Sequence, residues 1–138
     1  LCRGRHGKIG LLEETIMKTF LLTLLLFIPM TASAEYLDVI ESKLVDSCSS
    51  DKYLKIVNDF NKEWGMKNGY TAKVAMPLQS SNLESIFWLG TTKDAASFGK
   101  AWDTWRDAMS DSDSVAAKLQ ARLTQCSVNL ARRGYDLY

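Results

Sequence analysis

The sequence predicts an α+β domain in a split βαβ arrangement: one four-stranded antiparallel sheet, order 4-1-3-2, with its helices on one face. Three observations carry this. Two-residue alternation and three-to-four-residue recurrence succeed one another over residues 35–138 as strand, helix, strand, strand, helix pair, strand. The first and third strand candidates are apolar on both faces, which suits interior positions. The second carries Pro77, the one proline beyond residue 34, and its missing N–H suits an edge.

The domain starts near residue 35 because of what precedes it. Phe20 to Met30 is an eleven-residue run broken in polarity only by Thr23, too short for the about 20 residues that span a bilayer as a helix. Met17 and Lys18 stand before it and Ala32-Ser33-Ala34 behind it, the order of a cleaved signal peptide. Residues 1–16, which begin with Leu1 and include Glu13 and Glu14, read as sequence upstream of the true start at Met17. Cleavage after Ala34 of the 138-residue chain leaves 104 residues, the size of one domain. The expected location is periplasmic or secreted, with no membrane span after cleavage.

In the first strand, "EYLDVIESKLV", Tyr36, Ile40 and Leu44 share one side, and Leu37, Val39 and Val45 sit on the other. A helix follows, with Tyr53, Ile56, Val57, Phe60 and Trp64 as its buried stripe. Ser49, Ser50 or Asp51 caps it, and Gly65 or Asn68-Gly69 stops it. Tyr70 to Leu78 alternates as the second strand, "QSSN" turns, and "LESIFWLG" forms the third. Thr91 and Asp94 resemble a capping box ahead of "KDAASFGKAWDTWRDAM", whose apolar stripe is Phe98, Ala101, Trp102, Trp105 and Met109. "SDSDS" breaks that helix. "VAAKLQARL" forms another with Val115, Leu119 and Leu123 aligned, and "CSVNLARRGYDLY" is the last strand.

Signal cleavage removes His6, the only histidine. Histidine-based nucleophile activation and histidine-ligated haem or zinc then have no residue to rest on. Of 17 Lys and Arg and 16 Asp and Glu, four cations and two anions precede the cut, so the remainder carries a net charge of −1 with the signs interspersed. The basic stripe of a nucleic-acid binder is missing. Asp111 to Asp113 begins like a calcium loop, but Ala116 and Arg122 stand where glycine and glutamate are required. No glycine-rich phosphate loop, CxxC pair or nucleophile elbow occurs. The expectation is no metal and no cofactor, and a binding or structural role ahead of an enzymatic one.

Cys48 and Cys126 are the two cysteines beyond the cut. In the predicted sheet the end of the first strand lies beside the start of the fourth, which brings them together. An exported protein keeps such a pair oxidised. Two free buried thiols are the other reading.

Trp102 and Trp105, one turn apart with Arg106 beside them, and Trp88 on the third strand are candidates either for the core or for stacking on a flat or anionic ligand. Arg132 and Arg133 occupy opposite faces of the last strand, so one of them points at whatever covers the sheet's second face. Tyr135 lies close by. A solvated arginine, an interface ion pair and a pocket residue all fit this placement.

The element order, with "FGKAWDTWRDAM" and "SDSDSVAAKLQARL", resembles the ferredoxin-like dimeric α+β barrel superfamily over residues 35–138. That group includes antibiotic-biosynthesis-type monooxygenases, stress-responsive barrel proteins and NIPSNAP-like proteins. The resemblance implies a homodimer with two sheets face to face, and a cavity between sheet and helices for a small aromatic or anionic ligand. It also implies an alternative function, a cofactor-independent oxygenase or isomerase using Trp88, Arg132 or Tyr135. The histidine of its haem-binding members has no counterpart after residue 34.

Overall fold

The computed structural model describes residues 34–138, so the signal-peptide and upstream-sequence expectations lie outside the described residues. Strands β1 (Glu35–Leu44), β2 (Thr71–Ala75), β3 (Ser85–Thr92) and β4 (Ser127–Leu137) pair antiparallel in the order β2-β3-β1-β4. With helix α1 (Ser50–Phe60) between β1 and β2, and α2 (Ala95–Ala108) and α3 (Val115–Cys126) between β3 and β4, this is the ferredoxin-like order expected. The two strands with apolar residues on both sides are interior, and β2 is an edge.

Helix α1 begins where the Ser49 hydroxyl accepts the Lys52 N–H at 3.3 Å. It passes through a π turn (Asn61–Gly65) and a 3₁₀ turn (Met66–Asn68) before Gly69, at φ 68°, reverses the chain. Only this glycine sits in the left-handed region among the described residues. The π turn places Asn61 beside the free edge of β2. Its amide donates to the Ala72 carbonyl at 2.8 Å and accepts the Ala72 N–H at 2.8 Å, doing for that residue what a further strand would do.

The structure corrects four local expectations. β2 ends at Ala75, leaving Met76, Pro77 and Leu78 in the loop, because proline cannot continue the ladder. Thr91 belongs to β3; Asp94 alone caps α2, accepting the Ser97 N–H at 2.7 Å. Cys126 closes α3 and does not open β4. The buried side of α3 carries Ala116, Leu119 and Cys126, with Leu123 packed against the core, while Val115 is exposed.

All three helices contribute to one core with the inward side chains of the sheet, among them Tyr53, Phe60, Trp64, Ile86, Trp88, Trp105 and Leu119. Phe60 is its hub: its ring centroid lies 4.8 to 5.7 Å from those of Trp64, Tyr70, Trp88 and Trp105. An ion pair between Arg122 and Asp59, 2.6 Å, ties α3 to α1 and holds the Asp59 carboxyl below its usual range. On the opposite sheet face Leu37, Val39, Phe87 and Leu89 are half-buried, and Tyr135 and Leu137 are exposed.

Cys48 and Cys126 form a disulfide, with Cα atoms 5.1 Å apart, across a separation of 78 residues. Beside it the Val45 N–H donates to the Cys126 carbonyl at 3.1 Å, so the crosslink fastens the end of β1 to the α3–β4 junction. A loop of that length is worth about 4 to 5 kcal/mol in the chain-entropy model. Urea unfolding of Cys48→Ala/Cys126→Ala against the oxidised protein is expected to show a loss of about 2 to 5 kcal/mol with the fold retained.

Candidate functional site

The site grows from one row of residues across the sheet. Register places Ala72, Gly90, Asp38 and Gly134 side by side on β2, β3, β1 and β4. Three small residues thus flank one carboxylate. A Cβ on Gly90 would lie 1.7 Å from the Tyr70 hydroxyl oxygen, and one on Gly134 would lie 1.9 Å from that of Tyr36. The two glycines leave room for tyrosine rings to lean over the sheet on either side of Asp38.

Asp38 is 1% exposed. A carboxylate so buried needs partners for its charge and lone pairs. Arg132 supplies two donors, Nε to Oδ1 and Nη2 to Oδ2, each at 2.8 Å. The Tyr70 hydroxyl donates to Oδ2 at 2.8 Å and accepts the Trp88 indole N–H at 2.7 Å. Burial first, then the Asp38 charge, pushes the Tyr70 phenol far above its ordinary range. Burial pulls Arg132 down, but hydrogen bonding and charge from Asp38 outweigh it, and the guanidinium is held above its usual value. The Arg132 guanidinium carbon lies 4.3 Å from the Trp102 ring centre and 5.5 Å from that of Phe98.

A bulge puts Arg132 there. Between Glu41 and Ser42 the pairing with β4 shifts, with Glu41 opposite Ala131 and Ser42 opposite Asn129, so Leu130 has no partner on β1. Asn129 and Arg132, three positions apart, therefore share the inner face. The Ser42 hydroxyl donates to Asn129 Oδ1 at 2.9 Å.

Beside this network, between the sheet and the helices, is a cavity of about 430 Å³. Its deep wall is aromatic, built from Phe60, Trp64, Trp88 and Trp105, and its exposed residues are Trp102, Thr124, Val128, Asn129 and Arg132. Arg132 is the one ionised side chain lining it; Asp38 lies behind that wall and does not line it. No group of three or more metal-ligating side chains occurs among the described residues.

Of the residues singled out from the sequence, Trp88, Trp102, Trp105 and Arg132 line the cavity. Arg106 does not: it is exposed and bound to Asp103 at 2.9 Å. Tyr135 pairs with Leu37, on the opposite sheet face. Arg133 also faces that side, 3.6 Å from Glu41. Asp38 and Tyr70 were missed, although a signal existed for Asp38, which shares parity with Tyr36 and Ile40 on a strand face read as buried. An acid there implies a cationic partner, and β4 offered two.

Fold and site together define a ferredoxin-like α+β domain with an aromatic-walled cavity and a buried acid–arginine pair. No family model matches the chain, and no curated protein matches it. Among solved structures it is similar to SnoaB, a cofactor-independent oxygenase from Streptomyces nogalater, at 9% identity over 77% of this chain and 95% of that one, TM-score 0.48. It is also similar to a dimeric protein of unknown function and ferredoxin-like fold from Bacteroides fragilis, at 12% identity over 75% and 96%, TM-score 0.43.

Removing the Tyr70 hydroxyl leaves Asp38 one donor short and the Trp88 N–H without its acceptor. Tyr70→Phe is expected to cost about 1 to 3 kcal/mol at neutral pH in urea unfolding. The folded protein holds the Tyr70 proton more tightly than the unfolded chain, whose phenol titrates near 10.0. Its contribution is therefore complete below that pH and lost as pH rises beyond it, by up to about 1.4 kcal/mol per pH unit. Tyr53, also raised by burial, adds a slope of the same sign. Unfolding at pH 7 and 11 is expected to show a shallower alkaline fall in Tyr70→Phe than in the wild type.

Proposed function

We propose that this protein is an exported, homodimeric binding protein whose cavity receives a flat aromatic molecule. The observation that carries the binding reading is the cavity itself: about 430 Å³ falls within the range of small-molecule sites. Four aromatic rings form its deep wall, and Trp102 stands over Arg132 at its exposed edge. A neutral fluorescent aromatic, N-phenyl-1-naphthylamine, is the probe. Its titration is expected to saturate at one site per chain. Trp102→Ala is expected to weaken it by about five- to tenfold, the worth of one aromatic pair, with a loss of stability of no more than about 1 kcal/mol from the Arg132 contact. An affinity unchanged by this substitution would remove the cavity as the binding place.

A second copy is the proposed cover for the outer sheet face. Four strands at about 4.8 Å spacing and eight residues at about 3.3 Å rise present roughly 500 Å² per copy. Pairing two such faces buries about 1,000 Å², the scale of a specific interface. Charge suits the same arrangement, since Arg133 and Glu41 lie together on that face and a twofold-related copy offers the reverse order. Sedimentation velocity is expected to show a dimer that Val39→Glu/Phe87→Glu converts to monomer.

Export is supported by the charge, apolar run and small-residue site of residues 17–34, and a disulfide suits an oxidising compartment. Intact-mass measurement of protein from its own source is expected to give a chain starting at Glu35. A second reading, a cofactor-independent oxygenase or isomerase, is favoured by the room the cavity offers a substrate. Against it, the carboxylate nearest the cavity is engaged by three donors, and the Tyr70 proton is held by Asp38. Turnover of a polycyclic phenol by purified protein would decide for this reading.

A further inference from the structure

Resting on the binding reading, we propose that Asp38 is a specificity-determining positioning residue. By neutralising Arg132, it tunes the cavity to uncharged aromatic ligands that present a hydrogen-bond acceptor, such as a carbonyl or phenol oxygen, and against carboxylates and sulfonates.

Alone, an arginine at the edge of an apolar cavity would draw anions. Here its charge is already met. Asp38 engages Nε and Nη2, and the pair as a whole is neutral. An anion entering beside it would give up its hydration for an arginine whose field ends largely on a carboxylate 2.8 Å away. It would also meet the repulsion of that carboxylate, little screened because Asp38 is shut off from water.

Hydrogen-bonding capacity remains where charge does not. Nη1 of Arg132 has no hydrogen-bond partner among the described residues. The same is true of the side-chain N–H₂ of Asn129, whose oxygen accepts from Ser42. Both residues line the cavity. Two donors at one edge of an aromatic box suit an oxygen acceptor on a ring. The bidentate grip of Asp38 and the stacking on Trp102 fix the guanidinium plane, and with it the direction of Nη1.

The test uses two naphthalene dyes of similar size, neutral 6-propionyl-2-(dimethylamino)naphthalene, whose ketone oxygen is the acceptor, and anionic 1-anilinonaphthalene-8-sulfonate. Each is measured as the part that the other displaces, on the full chain with its disulfide. Wild-type protein is expected to prefer the neutral dye. Asp38→Asn keeps an oxygen for Tyr70 and Arg132 but leaves the arginine charge unmet, and is expected to move the ratio of dissociation constants by about tenfold towards the sulfonate. Adding Arg132→Gln to that variant is expected to restore the neutral preference, an outcome that a merely structural role for Asp38 would not produce. If Asp38→Asn fails to fold, Arg132→Gln alone is expected to keep or strengthen the neutral preference, and a shift towards the sulfonate there overturns the proposal. A folded Asp38→Asn that binds both dyes with the wild-type ratio overturns it while leaving the binding reading intact. Binding of neither dye by the wild type overturns both.

Discussion

A carboxylate buried in the middle of a sheet is the constraint around which this domain is arranged. Asp38 sits on an interior strand with its charge shut off from water, a placement that costs several kcal/mol unless the charge and lone pairs are met. Arg132 on the neighbouring strand meets the charge, and Tyr70, reaching over Gly90 from beyond the edge strand, meets a remaining lone pair. Trp88 then satisfies Tyr70. The chain of donors links all four strands or the residues next to them, so register, the β4 bulge and the glycine positions all bear on it.

The same arrangement explains why a cavity persists beside a well-packed aromatic core. The small residues of the Asp38 row are covered by the Tyr70 and Tyr36 rings, and the cavity lies beside them, where the short polar side chains of Ser42, Ser127 and Asn129 keep side-chain volume low near the start of β4. The tryptophans of α2, β3 and the π turn supply rigid walls that cannot collapse into the space without leaving their own packing, as the 4.8 Å contact between Trp64 and Trp105 illustrates. The disulfide and the Asp59–Arg122 pair hold α3 against β1 and α1. The wall opposite Trp102 is therefore pinned at several points.

The two sheet faces do different work. The inner face combines a polar row with aromatic neighbours and defines the site. The outer face, with Leu37, Val39, Phe87 and Leu89 on the interior strands, has the composition of a surface meant for another layer. The proposed binding and the proposed assembly thus use opposite sides of one sheet, with Arg132 on the inner face and Arg133 on the outer one.

Period was enough to order the strands and helices, though not to set every boundary, to put the doubly apolar strands inside, and, through the topology that order allows, to bring Cys48 to Cys126. These follow from the order of elements along the chain and from the few ways such an order can be wound. The candidate site was half legible: the tryptophans and arginines stood out as residue types, yet nothing in a one-dimensional pattern could align Gly90 and Gly134 with Asp38 or show that Arg132, and not Arg133, turns inward. Those are lateral relations between strands, set by register, and a single bulge at Leu130, opposite the Glu41–Ser42 step, exchanges the faces of every residue beyond it on β4. Arg106 and Tyr135 looked equivalent to the site residues in sequence, but helix phase and strand parity turn them away from the cavity.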